Sequence, residues 1–213
     1  MLFWCVVFTT ALTNTFAKDI NMGFAITWYA VKESNAEEFL QRLDLRPNGK
    51  TEDTPESLIS TAKMKTGWRV LWYDRHTCPF LAEKDLEEIS TAYDIIMCLV
   101  EEHVMFSSSE LWSQGKRKWY LSHAGENGPK GLTAIGDLPN CLHSVRAEME
   151  EQQEKEGGEE AEVDYVFEVP LRVAQDLVGF KHDESFDHLI DGEFIVLERP
   201  AKKSKGFFAQ LFN

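Results

Sequence analysis

Between residues 24 and 31 the large side chains leave no polar face: Phe24, Ile26 and Trp28 fall on one side of an extended chain, Tyr29 and Val31 on the other. Period two with bulk on both sides marks an interior strand, so the chain must build a sheet around this segment. Further strand patterns follow. Residues 58–64 and 68–73 flank Lys65-Thr66-Gly67, which reads as a β-hairpin with glycine at the turn. Ile95-Ile96-Met97-Cys98-Leu99-Val100 is a buried strand. Val104-Met105-Phe106 and Trp119-Tyr120-Leu121 are strands separated by a turn at Ser113-Gln114-Gly115-Lys116. Tyr165-Val166-Phe167-Glu168-Val169 reads as another strand, and residues 194–197, entered through Asp191-Gly192, as the last.

Helical spacing interrupts these strands. Ser34-Asn35-Ala36-Glu37 has the form of a capping box, and Phe39, Leu40 and Leu43 continue it as a short helix ended by Pro47-Asn48-Gly49. A polar loop is expected over 48–56. Ala82, Leu86, Ile89 and Tyr93 form one helix face, with Glu83, Asp85, Glu87 and Glu88 outward. Leu142, Val145 and Met149 make a narrower stripe after Pro139. Pro170 opens a last helix with Leu171, Ala174, Leu177 and Val178 inward and Gly179 at its end. Strands and helices mix without strict alternation. The expected class is α+β: a largely antiparallel mixed sheet with three to four helices packed on it.

The 213 residues suffice for one such domain, expected over 22–198 with an acidic loop at 150–164 and a basic, aromatic tail at 199–213. The extension 1–21 carries an uncharged apolar run at 2–12, far short of the ~20 residues of a membrane-spanning helix. It reads as a non-native start before Met22, a weak signal-like segment, or an edge strand. Four cysteines at irregular spacing (Cys5, Cys78, Cys98 and Cys141) make a poor disulfide framework and favour a reducing cytoplasm.

Net charge is −14, and from Glu148 to Asp164 nine acids face one base. That balance argues against generic nucleic-acid binding, which needs a basic face, and density of this kind reads as a solvated loop or hinge after about residue 155. The tail reverses the sign: Arg199, Lys202, Lys203 and Lys205 precede Phe207, Phe208, Leu211 and Phe212, a segment expected to dock on its own domain, on a partner, or weakly on an acidic membrane.

Chemistry-bearing residues form three groups. Glu102, His103, Ser108 and His123 supply the types for nucleophilic catalysis, without the strand-turn-helix frame of a nucleophile elbow; a serine run such as Ser107-Ser108-Ser109 also reads as a turn or bulge. His76, Cys78, Cys141 and His143 offer zinc-type ligands at a one-residue gap that chelates poorly. The loop from Gly125 to Gly131 fits no phosphate-binding motif, and no cofactor is expected. Trp112, Trp119, Lys116 and Arg117, with Phe207 and Phe208, are candidate partner-binding residues, because aromatic groups beside cations at a strand turn make a contact surface.

Four stretches carry a resemblance: Val100-Glu101-Glu102-His103-Val104-Met105, Gly115-Lys116-Arg117-Lys118-Trp119, Phe167-Glu168-Val169-Pro170-Leu171 and Val178-Gly179-Phe180-Lys181-His182-Asp183. With these, residues 22–185 resemble a family of small acidic bacterial proteins without assigned activity. The resemblance implies a start at Met22 and variable ends, and lends no site. In size and charge the chain is also similar to acidic immunity proteins. The expected function is non-enzymatic: binding of another macromolecule in the cytoplasm, a protein partner with a basic one among the options, in an immunity-like or regulatory role. The alternative is a hydrolase using the cluster around 101–123.

Overall fold

The computed structural model describes residues 23–200; the apolar run at 2–12 and the tail with Phe207 and Phe208 lie outside the described residues. Nine strands form one sheet: β1 (Ala25–Lys32), β2 (Arg46–Glu52), β3 (Ile59–Lys63), β4 (Trp68–Tyr73), β5 (Ile95–Glu101), β6 (Phe106–Ser113), β7 (Lys116–Ala124), β8 (Leu132–Gly136) and β9 (Phe194–Glu198). Among the described residues four α-helices accompany them: α1 (Ala36–Arg42), α2 (Glu83–Ile89), α3 (Leu142–Lys155) and α4 (Glu168–Val178). The strand order is β2-β9-β3-β4-β1-β5-β6-β7-β8, and every pairing is antiparallel. The fold is α+β.

β1 occupies the centre, as its two-faced bulk requires. Ile26, Trp28 and Ala30 point to the face covered by α4 and the chain after it, where Leu171, Ala174, Val178, Phe180 and Phe186 meet them. Tyr29 and Val31 point to the opposite face, under Phe39 of α1 and Leu86 and Ile89 of α2. A third cluster joins Trp119 and Leu121 of β7 to Leu142, Val145 and Met149 of α3 and Val169 and Val173 of α4. Burial of that stripe is what turns the weak periodicity of 142–149 into a helix. Gly179 closes α4 in the left-handed conformation (φ 82°), where any Cβ would also meet the Thr66 methyl at 2.6 Å.

Five expectations are corrected, the first at Val104 and Met105, which are no strand but the end of a 3-10 turn and a left-handed residue (φ 51°), with β6 starting at Phe106. The stretch 48–56 is not all loop: β2 runs to Glu52 and pairs with β9 across a register shift. As an exposed edge strand it buries no alternating side chains, so it left no hydrophobic pattern to read. Residues 165–169 are no strand. Asp164 accepts the Val166 N–H at 3.1 Å, a 3-10 turn follows, and α4 begins at Glu168. Pro170 sits in the first turn, where its missing N–H has no intrahelical partner to lose. The Ser34 capping box does not form, because a 3-10 turn over Glu33–Asn35 precedes α1 and Glu37 instead accepts from Gln41 at 3.1 Å. Finally, Ser107, Ser108 and Ser109 lie inside β6, not in a turn. The small side chains of Ser107 and Ser109, on one face, let α4 and its lead-in approach: the Ser107 hydroxyl donates to the Phe167 carbonyl at 2.7 Å.

Candidate functional site

The β6–β7 register decides the proposed nucleophile. Ser107 pairs with His123 and Ser108 with Ser122. Successive residues of a strand face opposite ways, so the Ser108 hydroxyl and the His123 imidazole are on opposite sides of the sheet and cannot share a proton. His123 is fully buried, and its Nε2 lies 2.8 Å from Asp164 Oδ2. The other two members of that group are elsewhere. Glu102 accepts the Phe24 N–H at 2.8 Å and lies 3.4 Å from His182 Nε2. His103 Nδ1 is 2.9 Å from Glu101, whose second oxygen is 3.2 Å from His76. The four sequence candidates therefore belong to three separate places, and the hydrolase arrangement is not assembled.

The zinc-type residues are also divided by the sheet. Cys78 belongs to the α1–α2 face, whereas Cys141 packs on the α3 cluster. Among the described residues no group of three or more His, Cys, Asp or Glu side chains is placed to hold a metal ion. Burial pushes the Cys78 thiol up to about 11, so it stays protonated and is a poor ligand.

Trp112 and Trp119 are core residues, 2% and 3% exposed, on opposite faces; Trp112 also lines a cavity of about 220 Å³ with Tyr29, Cys78, Glu110 and Arg117. The parity change across Leu111 and Trp112, where the register shifts, separates them. Lys116 and Arg117 are exposed at the hairpin. Arg117 lies over the Trp112 and Tyr120 rings and 3.3 Å from Glu110. Burial raises the Glu110 carboxyl above its ordinary range, and the opposing pull of Trp112 and Arg117 does not cancel it. A raised carboxyl favours the fold below its unfolded value of about 4.3 and loses that advantage as pH rises through the folded value. Glu110→Gln is therefore expected to melt above the wild type at pH 7, with the difference vanishing near about pH 4; thermal unfolding across pH checks this.

The acidic segment is more ordered than its composition suggests. α3 continues to Lys155, supported by Arg146–Glu150 and Glu151–Lys155 pairs one turn apart, and a 3-10 turn at Gly158–Glu160 follows it. Gln153, buried beneath it, donates to the carbonyls of Gly158 (2.6 Å) and Val163 (3.2 Å) and accepts from the Tyr165 N–H (2.7 Å). One amide thus holds both ends of the turn. Asp164 closes the segment by bonding the buried His123 and capping Val166. The result is a glutamate ridge. Glu148, Glu150, Glu151, Glu154, Glu156, Glu159, Glu160 and Glu162 are all exposed. Four cations touch it, through the pairs Lys130–Glu159, Arg146–Glu150, Lys155–Glu151 and Arg172–Glu148. Eight acids against four bases leave the ridge at −4.

A second charged group closes one end of the sheet. Besides the Glu101 and Glu102 contacts, Lys181 lies 3.1 Å from Glu168 and 2.7 Å from Asp183. Burial works against the Lys181 charge, yet Asp183 and Glu168 outweigh it and hold the ammonium above its ordinary range. The His182 contact, with the Phe24 N–H, holds Glu102 below the ordinary carboxylate range despite burial. These bonds tie the start of β1 to residues 181–183.

Sequence reasoning misses Gln153, Asp164 and His182. The first two are hidden in a glutamate-rich run, and their partners, or those of His182, stand up to 80 positions away. Compared with protein-family models, with curated proteins and with solved structures, the chain has no significant match. Among the described residues no helix is long and apolar enough to cross a membrane.

Proposed function

We propose that this protein acts without catalysis, by binding a basic protein partner through the glutamate ridge of α3 and the turn after it. The observation that supports the reading is the way Gln153 and the His123–Asp164 pair hold that segment against the domain. A ridge fixed in place presents its charges in one arrangement, so it raises the rate of encounter with a complementary surface and penalises others. A free acidic loop would offer the same charge without the geometry. The placement of Ser108 and His123 on opposite sides of the sheet supports the same reading. The proposed setting is the cytoplasm, supported by Cys78 and Cys98, which lie buried and unbridged on opposite faces. An immunity-like or regulatory role fits this chemistry.

The test is capture from native lysate by the intact chain and by a Glu150→Lys, Glu154→Lys, Glu159→Lys variant, at about 0.05 M and about 0.5 M salt. A protein retained in stoichiometric amount by the wild type at low salt, and absent both at high salt and with the variant, supports the reading. Identical capture by both proteins contradicts it.

A further inference from the structure

We infer that the outer edge of β8 pairs with the β8 edge of a second copy of this chain, joining two sheets into one across a two-fold axis. Among the described residues the sheet has two edges, and they are treated differently. β2 carries Pro47, Arg46 and Lys50 and a register shift, all features that discourage strand addition. β8 is Leu-Thr-Ala-Ile-Gly, without charge or proline, and residues 133–136 are exposed. Ile135 is 59% exposed.

The backbone pattern shows which groups are available. Ala124 donates to the Gly131 carbonyl and Asp137 to that of Lys118, at the two ends of the β7–β8 ladder. Bonded and unbonded pairs alternate in an antiparallel ladder. Thr133 and Ile135 therefore bond β7, while Leu132 and Ala134 direct their N–H and C=O groups outward, as does Gly136, whose carbonyl already accepts the Leu138 N–H at 3.1 Å. Placed on a two-fold axis, Ala134 bonds its own copy twice, and Leu132 faces Gly136 of the other chain. Ile135 then lies across from Thr133, a β-branched pair of the kind that stabilises neighbouring strands.

Charge selects this occupant. At the Leu132 end, a cavity of about 310 Å³ is lined by Pro129, Lys130, Glu150, Glu154 and Glu159. At the Gly136 end stands the hairpin carrying Lys116, Arg117 and Lys118. Antiparallel pairing sets the acidic end of each copy beside the basic end of the other, so the edge is complementary to itself. The repulsion between two chains of −14 acts at longer range and is screened at physiological salt, where the Debye length is about 8 Å.

Sedimentation equilibrium of the intact chain across protein concentration tests this, with two variants. Ala134→Pro removes only an outward N–H, leaving the β7 ladder intact, and Ile135→Lys adds charge at the seam. The expected result is a concentration-dependent mass of two chains, with each variant weakening association at least about tenfold at an unchanged circular dichroism spectrum. Lys116→Glu with Lys118→Glu should weaken it as well, and adding Glu150→Lys with Glu159→Lys should restore it. A monomer at every concentration overturns the inference. So does a dimer that neither edge variant weakens, or one that forms only after residues 1–22 are removed.

Discussion

Asp164→Ala is expected to lower stability by about 2–4 kcal/mol, from the loss of a hydrogen bond to a buried ring plus a turn cap. The carboxylate has two tasks: it bonds His123 Nε2 at 2.8 Å and accepts the Val166 N–H at 3.1 Å. His123 is fully buried and its Nδ1 has no partner among the described residues, so the substitution leaves the imidazole with neither nitrogen bonded there. An uncompensated polar ring in a core is costly. In a domain of this length each kcal/mol shifts the melting point by about 2–4 °C, which differential scanning calorimetry resolves. Asp164→Asn keeps one oxygen to accept the Val166 N–H and turns an NH2 toward His123, whose Nε2 accepts it in the tautomer protonated at Nδ1, and should recover about half the loss. Equal losses in the two variants would mean that the side chain's hydrogen bonds do not hold the segment.

Trp28→Ala is expected to cost still more, about 3–5 kcal/mol. Trp28 is on the central strand, 1% exposed, paired across β1–β4 with Trp72 and across β1–β5 with Cys98. Its ring meets the Phe180 ring edge-on at 5.3 Å, beneath α4. Truncation opens a void between sheet and helix that neither can close without breaking the ladder. Trp28→Phe should cost far less, under about 1.5 kcal/mol, because the indole N–H has no hydrogen-bond partner to lose among the described residues. Urea unfolding of the two variants checks the difference. A Trp28→Phe loss as large as that of Trp28→Ala would show that the indole nitrogen carries weight that this packing does not explain.

Elements that bury an alternating or helical stripe were legible in the sequence. Phe24 to Val31, the hairpin around Gly67, the run Ile95 to Val100, and the face Leu171, Ala174, Val178 each appear where their spacing places them. What could not be read depends on partners rather than on pattern. β2 buries little and is a strand only because β9 lies beside it. Residues 165–167 have strand-like composition, but the Asp164 cap and α4 bend them into a turn. Trp112 and Trp119 look alike in sequence, yet a register shift between them sends each to a different face. The ridge was visible as charge, but its order was not: Gln153 is one polar residue among glutamates, and its three backbone bonds are evident only once the turn is folded.

Hydrogen exchange of the backbone amides between Gly157 and Val166 bears most directly on the account, since partner recognition is argued from a ridge that is held rather than free. The Tyr165 and Val166 amides, bonded to Gln153 and Asp164, are expected to exchange at least about tenfold more slowly than in an unstructured chain, and to lose that protection in Asp164→Ala. Exchange of both amides at the rate of an unfolded peptide in the wild-type protein would contradict it.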